Sequence, residues 1–251
     1  MMPEQAYALI FAPHPDDAEG GIGGTMVRWA REGKGVILVI CTNGDKGTND
    51  PKIKQSDLVK TRIKEQRKAA KLLGVRKVIF LGHPDQRLAD TPEFRLEVTR
   101  LIRQYRPEVV ATTDSMRRYT SHPDHRTTGQ VVLDAVSLYS HNYYAFPELI
   151  EEGLGELHRT KEILLWGSSE PNVCLDISDT FKTKMAALEC HVSQFGKPSP
   201  ERTKRMRDRH KEQAKKEKFK LGESFHRLDP MGPPRPAQPA TTSARRRPRR
   251  D

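Results

Sequence analysis

Residues 7–25 read YALIFAPHPDDAEGGIGGT, and this stretch decides the fold. Tyr7–Ala12 is a short apolar run with no polar alternation, as in a strand buried on both faces. Pro13 ends it, and four residues then pack two carboxylates and an imidazole together before a glycine-rich strand–helix junction. Further runs of the same kind occur at Val36–Cys41, Lys77–Leu81, Glu108–Thr113 and Glu162–Trp166. Between them lie amphipathic segments: Leu58–Leu73, closed by Gly74, then Pro92–Tyr105, ended by Pro107, and Arg126–Tyr139. This alternation predicts an α/β fold, a Rossmann-like three-layer sandwich with a mostly parallel sheet, whose ligands bind beyond the carboxyl ends of the strands. Asn172–Ile177 reads as a later strand and Thr180–Val192 as a later helix.

The chemistry is therefore expected in the loops after strands. In the first, His14 and Asp17 can face one ion while Asp16, directed elsewhere, stays free as a base. Read alone, that loop is equally a turn whose Asp caps the next helix. The second loop, Ser121-His122-Pro123-Asp124-His125, again comes after a strand and precedes a helix. Two His-Pro-Asp clusters placed this way are hard to explain by packing. One His-Asp pair plus one more His gives three N/O ligands and an open fourth position, the pattern of catalytic zinc. The glycines do not fit a dinucleotide site, because no G-x-G-x-x-G can be drawn through Gly20, Gly21 or Gly24 and the preceding carboxylates repel a pyrophosphate. Close helix packing and a tight turn are the expected uses.

The formal charge of +11 looks like a nucleic-acid signature until it is located. Residues 197–251 hold 18 Lys plus Arg against 7 Asp plus Glu, so residues 1–196 are neutral. The expected organisation is a catalytic core over 1–196, a basic, partly helical extension over 197–228 that packs on it, and a Pro/Arg-rich, disordered tail over 229–251. Such a tail binds phosphates without sequence preference, and no specific nucleic-acid partner is expected. Cys41, Cys174 and Cys190 lack metal or redox spacing and read as buried thiols. With no signal peptide and no membrane-length apolar run, a cytoplasmic location is expected.

These residues resemble the LmbE-like, or PIG-L, deacetylases, which include N-acetylglucosaminylphosphatidylinositol deacetylases and the mycothiol- and bacillithiol-pathway enzymes. The resemblance rests on His14-Pro15-Asp16-Asp17 with the glycines after it, Thr61-Arg62 with Glu65, Pro84-Asp85, and His122-Pro123-Asp124-His125. It continues through Lys184-Met185-Ala186-Ala187-Leu188, His191, Ser193-Gln194 and Gly222-Glu223-Ser224-Phe225, about residues 7–226 in all. It implies that His14, Asp17 and His125 bind Zn2+, with another divalent transition metal such as Fe2+ also suited, that Asp16 is the general base, and that His122 assists the oxyanion or leaving group. It further implies that Arg62 and Asp85 contact the sugar or acyl end, with His191 near the same pocket. The structural alternatives are an Arg62–Glu65 pair on one helix, an Asp85 turn cap and a buried helical His191. The implied substrate is a small amino-sugar conjugate, and the implied assembly a homo-oligomer, trimer or hexamer. Two departures stand out. Many members place Glu directly after the twin aspartates, whereas here Ala18 intervenes before Glu19; and Thr120 stands where some place a catalytic Tyr, leaving the part of neighbouring Tyr119 open.

Overall fold

A computed structural model describes residues 5–120 and 122–230. Its elements in chain order are β1 (Ala8–Ala12), α1 (Asp17–Arg31), β2 (Val36–Thr42), α2 (Gln55–Leu73), β3 (Lys77–His83), α3 (Pro92–Tyr105), β4 (Val109–Thr113), α4 (Pro123–Ser137) and the short α5 (Glu148–Glu151). They continue with β5 (Glu162–Trp166), β6 (Val173–Asp176), α6 (Phe181–Leu188), α7 (Val192–Phe195), α8 (Pro200–Gln213) and β7 (Gly222–Leu228). Seven strands form one sheet in the order β3-β2-β1-β4-β5-β7-β6. The first five are parallel, and β7 runs antiparallel between β5 and β6.

β1 shows why the apolar runs do not alternate with polar residues. Ala8, Ile10 and Ala12 face a core that contains Ile22, Met26 and Trp29 of α1, while Leu9 and Phe11 face a second core with Phe94 and Val98 of α3 and Val131 and Val132 of α4. Both faces are covered, so every position is apolar. β3 departs from the expected pattern: at the sheet edge it is half exposed rather than buried on both faces. The helix expected over Thr180–Val192 ends at Leu188, and a new turn begins at Val192. The strand at Gly222–Leu228, within the basic segment 197–228, carries only a weak apolar signal, yet it lies inside the sheet. From residue 231 on, the Pro/Arg-rich tail lies outside the described residues.

The strand order fixes the site. From β1 the chain proceeds outward through β2 and β3, then returns to place β4 on the other side of β1. The loops after β1 and β4 therefore diverge at the topological switch point, where the sheet leaves a crevice at its carboxyl edge. Those are the two histidine–aspartate loops.

Candidate metal and catalytic site

The loop after β1 turns sharply at Asp16, whose φ of 106° lies in the left-handed region that residues other than glycine seldom occupy. This turn sends the two adjacent carboxylates to different partners. Asp17, the first residue of α1, folds back so that its Oδ2 accepts from the His14 amide at 2.9 Å and sits 3.0 Å from His14 Nδ1. Asp16 Oδ2 instead accepts from Arg62 at 2.9 Å. Arg62 is 3% exposed and also donates to the carbonyls of Pro15 at 2.6 Å and Gly44 at 3.1 Å. The guanidinium thus ties α2 to two loops. The alternative Arg62–Glu65 pairing does not form, because Glu65 accepts from Ser193 instead.

The loop after β4 supplies the rest. Pro123 occupies the first turn of α4, where its missing N–H is harmless, and His122 caps the helix, its Nδ1 accepting from the Asp124 amide at 3.2 Å. With Nδ1 used as an acceptor, the neutral ring carries its proton on Nε2, which lies 3.9 Å from Asp85 Oδ1. One turn into the helix, His125 Nε2 approaches Asp17 Oδ2 at 3.3 Å.

These residues fit a divalent cation. Asp17 Oδ2 lies 3.0 and 3.3 Å from the ring nitrogens of His14 and His125, and bonds of the usual length to one tetrahedral zinc set ligand atoms about 3.3 Å apart. Nitrogens of His14, His122 and His125 all fall within 4.8 Å of one another, as do donor atoms of His14, Asp85, His122 and Asp124; Asp17, close to two of these histidines, belongs to neither group. His14 Nε2 lies 3.2 Å from Asp124 Oδ2 and 3.1 Å from Asp85 Oδ1, so its far side is braced by carboxylates while Nδ1 faces Asp17. That is the carboxylate–histidine arrangement that orients metal-binding imidazoles. Burial alone would lower the pKa of His14, but hydrogen bonds from its ring to the carboxylates of Asp124, Asp17 and Asp85 outweigh it and hold the ring at about 11. Three carboxylates on one imidazole are an excess of negative charge that a divalent cation would balance in place of the ring proton.

Burial pushes Asp16 up to about 7, aided by the neighbouring Asp17 charge and opposed by Arg62. In Asp17 burial acts the same way, but His125 and His14 overcome it and keep the carboxyl far below its ordinary range. His122 is lowered by burial and by His14, so the ring is a neutral donor. A cavity of about 210 Å³ opens beside the cluster, lined by His14, Asp16, Arg62, Asp85 and His122 together with Lys46, Gly47, Gln86 and Gln194. A larger groove of about 630 Å³ between β6 and the end of α8 contains none of the predicted site residues.

Seven of the eight residues singled out in the sequence thus converge around one point. His191 is fully buried, with its Nε2 3.6 Å from Glu19, and does not line the cavity. Asp124 also belongs to the cluster and is absent from the residues expected there, although its place between two histidines on one helical turn is the available signal. Lys46 and Gln86 carried none, since each reaches the cavity only through a loop shape: Gln86 has φ 62° and donates its amide to Asp124 at 2.7 Å, and Lys46 donates to the Asp85 carbonyl.

A three-layer α/β sheet with histidines and carboxylates converging at its switch point defines the class as a hydrolase built around a polar, metal-competent cluster. The chain belongs to the PIG-L family: the family model described as GlcNAc-PI de-N-acetylase matches residues 9–136. It is 35% identical over 187 residues to the diacetylchitobiose deacetylase of Thermococcus kodakarensis, a match covering 74% of this chain and 69% of the relative. It is 27% identical over 199 residues to a probable N-acetyl-alpha-D-glucosaminyl L-malate deacetylase 2 of Bacillus anthracis, covering 77% and 84%. Among solved structures it superposes on the N,N'-diacetylchitobiose deacetylase from Pyrococcus horikoshii with a TM-score of 0.84 and 31% identity, covering 90% of this chain and 85% of that one. The protein is a deacetylase, an enzyme hydrolysing amide bonds. No helix among the described residues is long and apolar enough to cross a membrane.

Proposed function

We propose that this enzyme is a zinc-dependent hydrolase that removes the N-acetyl group from an N-acetylglucosamine-type amino-sugar conjugate, with His14, Asp17 and His125 as the metal ligands. The observation that carries the reading is the division of labour between adjacent carboxylates: Asp17 stands between two imidazoles, while Asp16 is turned toward Arg62 and the cavity. When bound, zinc supplies a water whose pKa is lowered to about 7 and a Lewis acid for the amide carbonyl.

Asp16 takes the proton from the attacking water, and Arg62 holds its carboxylate in place for that step. An amide nitrogen does not leave as an anion, so Asp16 must return to it the proton taken from the water. His122 Nε2–H, fixed by the Nδ1 cap, faces the developing oxyanion; loss of one such donor raises a barrier by roughly 3 kcal/mol. Asp85 steadies His14 and offers its carboxylate to the sugar hydroxyls. The small polar cavity receives the acetamido-bearing ring and leaves the aglycone at the surface. The names of both relatives, on diacetylchitobiose and on a glucosaminyl malate, support the sugar but differ in the group attached to it. A cytoplasmic homo-oligomer acting on a small molecule, with no nucleic-acid partner, completes the proposal.

The test is acetate release from a panel of N-acetylglucosamine conjugates, including N,N'-diacetylchitobiose, with and without chelator. Metal-dependent acetate release is expected from at least one. Release only from non-sugar amides would overturn the sugar assignment, and release unaffected by exhaustive metal removal would overturn the metal assignment.

A further inference from the structure

Glu19 and His191 are both fully buried and neither lines the cavity, yet they join the site through a third residue. Glu19 Oε1 accepts from Gln66 Nε2 at 2.7 Å, and Gln66 Oε1 accepts from the Asp16 backbone N–H at 3.1 Å. Gln66 is itself fully buried. Behind Glu19, its Oε2 lies 3.6 Å from His191 Nε2, and neither that oxygen nor either ring nitrogen has a hydrogen-bond partner among the described residues. A buried carboxylate needs donors on both oxygens, and His191 Nε2 stands 3.6 Å from the unpaired one.

We propose that Gln66, backed by Glu19 and His191, is a positioning residue for Asp16, resting on the reading of Asp16 as the general base. Asp16 holds a left-handed backbone conformation at φ 106°, and strain of that kind persists only where surrounding contacts determine it. Gln66 is the contact that grips the Asp16 amide, while Arg62 grips its carboxylate. Together they separate the direction of Asp16 from that of Asp17. A glutamine serves here because it must accept from one neighbour and donate to another. Glu19, one residue later than in many of the family's sequences, is the acceptor that fixes the amide's orientation.

The experiment compares zinc-loaded full-length enzyme with Gln66→Met, Gln66→Glu and the exchange pair Glu19→Gln/Gln66→Glu, on whichever conjugate the wild type hydrolyses. Gln66→Met is expected to lower kcat by roughly ten- to a hundredfold, the scale of a small misplacement of a reacting group, with KM and zinc stoichiometry near wild type. Hydrogen exchange at the peptide holding the Asp16 amide should accelerate. Gln66→Glu sets two carboxylates against each other and should lose comparable activity, whereas the exchange pair restores a donor facing an acceptor and should recover most of it. A Gln66→Met enzyme within twofold of wild-type kcat overturns the proposal. So does an exchange pair that is folded and zinc-loaded yet no better than Gln66→Glu, and this comparison stands even if Gln66→Met does not fold. Wild-type enzyme that releases no acetate from any conjugate defeats the proposed function instead, and the exchange rate at Asp16 still reads the strut.

Discussion

Replacing Lys184 by Met removes one half of a fully buried ion pair that lies outside the site but supports it. Lys184 Nζ lies 2.6 Å from Glu223 Oε1 and donates to the Gly20 carbonyl at 2.9 Å, while Glu223 also accepts from the amides of Gly24 and Thr25 at 2.8 Å and from Thr25 Oγ1 at 2.6 Å. The pair meets α1 at Gly20, Gly24 and Thr25 and so locks β7 and α6 to the helix that begins with Asp17. Breaking a buried pair from one side destabilises by about 3–5 kcal/mol, and the three donors left to Glu223 place this case near the lower end. At about 2–4 °C per kcal/mol for a chain of this size, Tm should fall by roughly 6–12 °C. Burial would raise the Glu223 carboxyl, but the Lys184 charge outweighs it and holds the pKa below the ordinary range. A depressed carboxylate contributes stability that is fully present above the unfolded value of about 4.3 and is lost as pH falls through the folded value. The gap between wild type and Lys184→Met, measured by urea unfolding, should therefore be full at pH 7 and narrow in acid. Adding Glu223→Leu should return part of the stability, since no unpaired buried carboxylate then remains. A gap below about 1 kcal/mol at pH 7, or one that widens in acid, would refute the reasoning.

At the site, Asp16→Asn should keep stoichiometric zinc and lose at least about a hundredfold in turnover, whereas His14→Ala should lose both; metal analysis beside acetate release separates the two. Gly24→Ala places a methyl 2.6 Å from Ile177 Cγ2, so unfolding experiments should show a loss of about 1–3 kcal/mol through overpacking. Truncation after Leu228 should leave deacetylation intact while weakening any salt-dependent binding to a polyanion, as read by retention on a heparin column.

The parallel half of the fold was legible because strands covered on both faces, such as Ala8–Ala12 and Val36–Thr42, can carry only apolar residues. Gly222–Leu228 was not: Glu223, His226 and Arg227 break the apolar run, and what places Glu223 inside is a lysine 39 residues earlier. The glycines show the same division. Close packing was anticipated, and a Cβ on Gly21 would stand 2.5 Å from Trp166 Cδ1; the expected tight turn is instead a stretch of α1. In the site, the meeting of His14 and Asp17 with the two histidines of the second loop was readable from spacing, since adjacent residues at a strand end face different ways and a switch point gathers two loops; the choice of His125 over His122 as a ligand rests on the family resemblance. The carboxylate at Asp124 that braces His14, and the glutamine under Asp16, depend on distances across loops and helices that no local pattern encodes.

X-ray absorption at the zinc edge, on protein loaded with one equivalent, tests the central claim most directly. The account predicts a first shell of two imidazole nitrogens and light oxygen donors at about 2.0–2.2 Å with no sulfur, losing one imidazole in His125→Ala. A sulfur shell, or a spectrum that His125→Ala leaves unchanged, would contradict it.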